Sequence, residues 1–106
     1  MQQGLCMLEQ KDKIVCETPT PGKKPTRIDK WKYDLIRGLI LKVLPKTGKG
    51  LAFKDLPRLV GSKLTKTEQE RLGSVSWYTT VVKLDLEVRG DIHRVPGVSP
   101  QHLLKA

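Results

Sequence analysis

The chain has 106 residues, which suits one domain with a modest core. Its 38% hydrophobic content is that of an ordinary globular protein, and no apolar run nears the roughly 18 residues a membrane helix needs. Twenty basic against eleven acidic residues leave +9, a balance that attracts phosphate backbones and anionic surfaces without choosing between them.

In chain order, Met1 to Lys13 has no period, and Met1 to Gly4 shows no basic segment leading into an apolar one, so a cytoplasmic location is expected. Lys13 to Thr18 reads as a short strand because Ile14 and Val15 favour a pleated surface. Thr18 to Thr26 holds three prolines and a glycine, which excludes helix and central strand and predicts an extended arm or linker. Residues 1–27 thus form an N-terminal strand and arm, and residues 28–106 the main domain.

Asp29 is the expected N-cap of a first helix running to about Leu44. Ile28, Trp31, Leu35, Ile36, Leu39, Ile40 and Val43 recur at steps of three and four, making one apolar face, and Pro45 ends the helix. After the turn Lys46-Thr-Gly-Lys-Gly50, Leu51 to Phe53 form a brief extended step into a second helix near Lys54 to Leu64. Pro57 is tolerated there only in the first turn, where its missing N–H needs no partner. Thr65 with Glu68, and Thr67 with Glu70, both match capping-box spacing, so Thr67 to Leu72 is a candidate helical turn. Ser74 or Ser76 caps a third helix reaching about Arg89, closed by Gly90. Asp91 to Val95, a Pro/Gly turn over 96–100, and Gln101 to Lys105 then read as a hairpin.

The third helix carries two apolar stripes. Trp77, Val81, Leu84 and Val88 form one; Val75, Tyr78, Val82 and Leu86 form the other. Ser76, Thr79, Thr80, Lys83 and Glu87 fill the polar arc between them. A small domain covers one such stripe with its own first helix, so the other predicts either packing by the segment before Pro19 or a second copy of the chain.

Helices followed by a C-terminal hairpin give an α+β class. The run Leu84-Asp-Leu-Glu-Val-Arg-Gly-Asp-Ile-His-Arg-Val95 resembles the junction of recognition helix and wing in the winged helix-turn-helix superfamily. In that pattern Leu86 anchors the helix, Gly90 permits the exit, and Ile92 pins the first wing strand. With Ser76-Trp77-Tyr78 ahead of it, residues 28–106 look similar to a set of small uncharacterised bacterial winged-helix proteins. They are more distantly similar to the N-terminal domains of Mrr-type restriction proteins. The resemblance implies a three-helix winged-helix fold with a β-hairpin wing and an N-terminal arm.

Two functions stay open. For duplex DNA, the resemblance places Ser76, Thr79, Thr80 and Lys83 toward a groove, with Lys46, Lys49, Lys66 and Arg94 on phosphate and His93 beside them on the wing. Lys23, Lys24 and Arg27 would sit on an arm suited to a minor groove. For a protein partner or a homodimer, Trp77, Val81, Leu84 and Val88 are the interface, and the long link Thr65 to Gly73 and the wide apolar arc of the third helix favour this reading.

Catalysis finds no footing. Lys46 to Gly50 is not an eight-residue phosphate loop, no Gly-x-Ser-x-Gly occurs, and no histidine lies near Cys6 or Cys16. Those two cysteines read as free thiols, and His93 and His102 lie too far downstream to complete a metal site with them. No enzyme activity, cofactor, metal, small-molecule substrate or membrane association is expected.

Overall fold

The computed structural model describes residues 13–19, 22–97 and 100–106. Residues 1–12, including Cys6, lie outside that set, as do positions 20 and 21 of the Pro-rich stretch and 98 and 99 of the last turn.

Strand β1 (Lys13–Cys16) pairs antiparallel with β2 (Thr26–Asp29), Cys16 opposite Thr26 and Lys13 opposite Asp29. Of the arm or linker expected over Thr18 to Thr26, this stretch is the linker, because it connects two paired strands. Ile28 also belongs to β2 rather than to the first helix, so the expected boundary at residue 27 falls inside a strand. The cause is burial: Cys16 and Ile28 alternate inward from the two strands and join the main core. Val15 and Arg27, opposite each other, face outward and are exposed.

Helix α1 (Lys30–Val43) begins after Asp29 as expected, but Asp29 makes no cap hydrogen bond. Its carboxylate is held by Lys13 and lies 3.9 Å from Lys32. Tyr33, Ile36 and Ile40 form the buried face of α1, and Leu44 in extended conformation ahead of Pro45 closes it. Strand β3 (Leu51–Ala52) leads through a 3₁₀ turn, Phe53–Asp55, into α2 (Leu56–Lys63), with Pro57 in its first turn. The expected link between 65 and 73 is itself helical, α3 (Lys66–Leu72). Of the two candidate capping boxes, Thr65 with Glu68 is the one formed: Thr65 Oγ1 accepts the Glu68 N–H at 3.1 Å, and Glu68 Oε1 accepts the Thr65 N–H at 2.8 Å.

Ser74 Oγ accepts the Trp77 N–H at 3.1 Å and starts α4 (Val75–Arg89). At the other end Gly90 is left-handed, with φ of +84°, and the Asp91 N–H reaches back to Leu86 O at 3.0 Å. Strands β4 (Ile92–Arg94) and β5 (His102–Lys105) pair antiparallel, and β3 joins β5 on its free edge, giving the order β3-β5-β4.

The architecture is α+β, with four α-helices and two small antiparallel sheets among the described residues. Its core gathers Ile36 and Ile40 of α1, Leu56 and Val60 of α2, Val82 and Leu86 of α4, and Ile92 and Leu103 of the sheet. No helix among the described residues is long and apolar enough to cross a membrane.

Candidate functional site

Helix α4 is packed on α1 and α2 along one side and on the sheet and β1 along its flanks, so its rotation decides which side chains remain available. The stripe Val75, Tyr78, Val82, Leu86 turns inward: Val82 and Leu86 are fully buried, and Val75 and Tyr78 pack against the core's edge. The stripe Trp77, Val81, Leu84, Val88 turns outward. Trp77 is 47% and Val88 48% exposed, while Val81 and Leu84 are half-buried.

This rotation corrects two of the groove-facing candidates. Thr79 is 0% and Lys83 2% exposed. At about 100° per residue they follow the core positions 82 and 86 around the helix. The Lys83 ammonium lies 4.5 Å from the centre of the Phe53 ring and 2.7 Å from Glu87 Oε2. Burial pulls the lysine below its ordinary pKa, against the opposing pull of Glu87. Glu87 Oε1 accepts from Arg94 Nε at 2.6 Å, so the wing arginine and the helix lysine share one carboxylate. Thr79 Oγ1 is buried without a hydrogen-bond partner.

The other expected residues stay at the surface but do not converge on α4. Ser76 is exposed, and the Thr80 hydroxyl donates to Ser76 O at 2.9 Å. Lys66 is exposed at the start of α3, Lys46 and Lys49 in the turn after α1, and His93 on β4. Lys23, Lys24 and Arg27 are exposed on the β1–β2 hairpin, with no ion-pair partner among the described residues.

Between that hairpin and α4 lies an open cleft of about 120 Å³. Val81 and Leu84 meet Cys16, Glu17 and Thr18 across it, with Lys23, Lys24 and Thr26 completing the wall. Of the segment before Pro19, residues 13–18 pack on α4, and residues 1–12 lie outside the described set. This packing covers part of the second stripe and leaves Trp77 and Val88 in solvent.

Beneath the cleft is a buried polar network absent from the sequence reading. Asp85, 0% exposed, accepts the Tyr33 hydroxyl at 2.5 Å and Arg89 Nε at 2.6 Å on Oδ2, and the Glu17 N–H at 2.9 Å on Oδ1. It thus ties β1, α1 and α4 together. The spacing of Asp85 and Arg89 was a visible i,i+4 signal; the Tyr33 contact, 52 positions away, was not. Cys16 beside it is a free, buried thiol, and burial with the Asp85 charge pushes it up to about 12, so it is no nucleophile at neutral pH. Burial and the hydrogen bond to Asp85 likewise push the Tyr33 phenol up.

Both groups hold their proton in the folded chain at a pH where the unfolded chain releases it. The thiol's stabilisation is therefore complete below its ordinary 9.0 and is lost as pH rises through about 12, and the phenol's begins to fall only above its ordinary 10.0. Lys83 acts oppositely, its contribution growing with pH toward the ordinary lysine value of 10.5. With two groups against one, urea midpoints should fall between about pH 9 and about pH 11, and less steeply in Cys16→Ala. A flat profile in the parent chain would contradict the burial assigned to Cys16 and Tyr33.

Among the described residues no three His, Cys, Asp or Glu side chains come together to hold a metal. Fold and site together define a small α+β protein whose distinctive surface is an outward apolar helix face bordered by a lysine-bearing hairpin. The chain belongs to DUF6958, a family of unknown function whose model matches residues 13–103. No curated protein and no solved structure matches it.

Proposed function

We propose that the chain is a non-catalytic winged-helix binding module whose α4 face docks on a protein. The order α1-β3-α2-α3-α4-β4-β5, with β5 between β3 and β4, supports the winged-helix reading. So does the junction, where Leu86 and Ile92 are buried either side of the left-handed Gly90. Fold alone leaves the ligand open.

The observation that carries the docking reading is the make-up of α4's solvent face. Trp77, Leu84 and Val88 stand where a groove-reading helix needs polar donors. The helix's two cations are engaged, Lys83 with Glu87 and Arg89 with Asp85. A second reading, duplex DNA, rests on the exposed Lys23, Lys24, Arg27 and Lys66, none of which belongs to α4.

Photo-crosslinking separates the two readings. A benzophenone side chain at Ser76 or Val88, both exposed, is activated in the protein's own cells. Adducts that survive nuclease and vanish with protease are expected. Nuclease-sensitive adducts, or none from either position, would overturn the docking reading.

A further inference from the structure

We infer that the cleft between the β1–β2 hairpin and α4 receives one apolar side chain from an acidic segment of a partner protein. The inference rests on the docking reading above and adds the chemistry of the partner.

Three observations converge. The first is size: about 120 Å³ suits a single aliphatic or thioether side chain, well short of the roughly 300–1,000 Å³ of small-molecule pockets. The second is lining. Val81 and Leu84 give apolar wall, and Cys16, 2% exposed and held as a neutral thiol at physiological pH, behaves as a small hydrophobe. The cleft also sits mid-way along a stripe with Trp77 at one end and Val88 at the other, about 16 Å of helix by the 1.5 Å rise per residue. A partner helix needs an i, i+4, i+7, i+11 row of apolar residues to follow that length, and one of its middle residues enters the cleft.

The third is charge. Lys23 and Lys24 stand at the rim, exposed and without an ion-pair partner among the described residues, against one rim carboxylate, Glu17. Meanwhile Asp29, Asp34, Asp55, Asp85, Glu87 and Asp91 are each already engaged by a lysine or arginine. A second copy of the chain would bring another +9 surface to this face. A partner with Asp or Glu flanking its apolar anchor meets the rim with opposite charge, which speeds encounter and sets register. Arg27 points from the outer face of the hairpin, opposite Val15, and stays outside the contact.

The test pans a random peptide library against the full chain and titrates the enriched peptides by fluorescence anisotropy at low and high salt. Enriched sequences should pair a Leu, Ile, Met or Phe with neighbouring Asp or Glu, and their affinity should fall with salt. The double variant Lys23→Glu/Lys24→Glu should bind about tenfold more weakly or worse. Arg27→Glu should match the parent. Val81→Phe, which fills the cleft, should abolish binding; if it fails to fold, the double variant decides alone.

Enrichment of neutral or basic peptides, no enrichment, or unchanged binding by the double variant overturns the inference. So does a chain that sediments as a dimer and binds no peptide. If the benzophenone adducts at Ser76 and Val88 are protein while the peptides are not acidic, the docking reading stands and this inference alone falls.

Discussion

Asp85→Ala should be among the most destabilising single changes in the molecule, costing about 3–5 kcal/mol, because one buried carboxylate serves three hydrogen bonds of the charge-assisted kind. The carboxylate is fully buried and serves three donors, from Tyr33, Arg89 and the Glu17 backbone. Arg89 recovers most of its loss, since its side chain is 47% exposed and turns to water. Tyr33, 4% exposed, has no such refuge and is left short of an acceptor, at about 1–3 kcal/mol for a buried unsatisfied group. The Glu17 N–H belongs to an exposed residue and loses only its bond to the charge. For a chain of this length the melting temperature should drop by more than about 12 °C. Asp85→Asn, which keeps one acceptor oxygen, should cost less. Tyr33→Phe should cost about 1.5 kcal/mol, because Asp85 keeps Arg89 and the Glu17 N–H as donors. Thermal melts of the three variants give the ranking. An Asp85→Ala chain within about 1 kcal/mol of the parent would mean the network is not a structural tie. Because Glu17 adjoins Cys16, amide exchange in Asp85→Ala should also rise first in β1, loosening one wall of the cleft.

Gly50→Ala should be the next largest loss, about 2–4 kcal/mol, read as a lowered urea midpoint. Gly50 has a φ of +78°, where a side chain is strained by about 1–2 kcal/mol. A Cβ there would also stand 2.6 Å from Leu103 O and 3.0 Å from Val95 Cγ2. The neighbouring Leu51 pairs with Leu103, so relief must come from pushing β3 off β5. Gly48→Ala is the internal control. Gly48 has a φ of +90° but open space around its would-be Cβ, so it carries the strain without the collision. Equal losses at the two glycines would show that the close approach of β3 and β5 does not limit this turn.

Much of the helical framework was legible residue by residue. The three- and four-residue spacing of Leu35, Ile36, Leu39, Ile40 and Val43, closed by Pro45, marks α1. Thr65 with Glu68, Ser74, and Gly90 mark the ends of α3 and α4, because caps and turns are set by neighbours within four positions. The β4–β5 hairpin followed from two short runs around a Pro/Gly turn. The positions of Trp77, Val81, Leu84 and Val88 on one stripe were legible in the same way.

Periodicity alone does not decide which stripe of α4 faces water, since both are apolar and a periodic pattern carries no rotation when two faces compete. Packing against Ile36 and Ile40 of α1 and Leu56 and Val60 of α2 decides it, turning Val82 and Leu86 inward and carrying Thr79 and Lys83 with them. The same holds for Asp85, whose burial depends on a tyrosine on α1 and a backbone N–H on β1's far end. It holds for the Pro-rich stretch too, where Cys16 and Ile28 are drawn into the core and pull their strands into register across a loop that local propensity reads as an arm or linker. Short-range rules act through the backbone between neighbours. Helix rotation, buried charge and the pairing of β1 with β2 are settled by contacts that exist only once distant segments share a core.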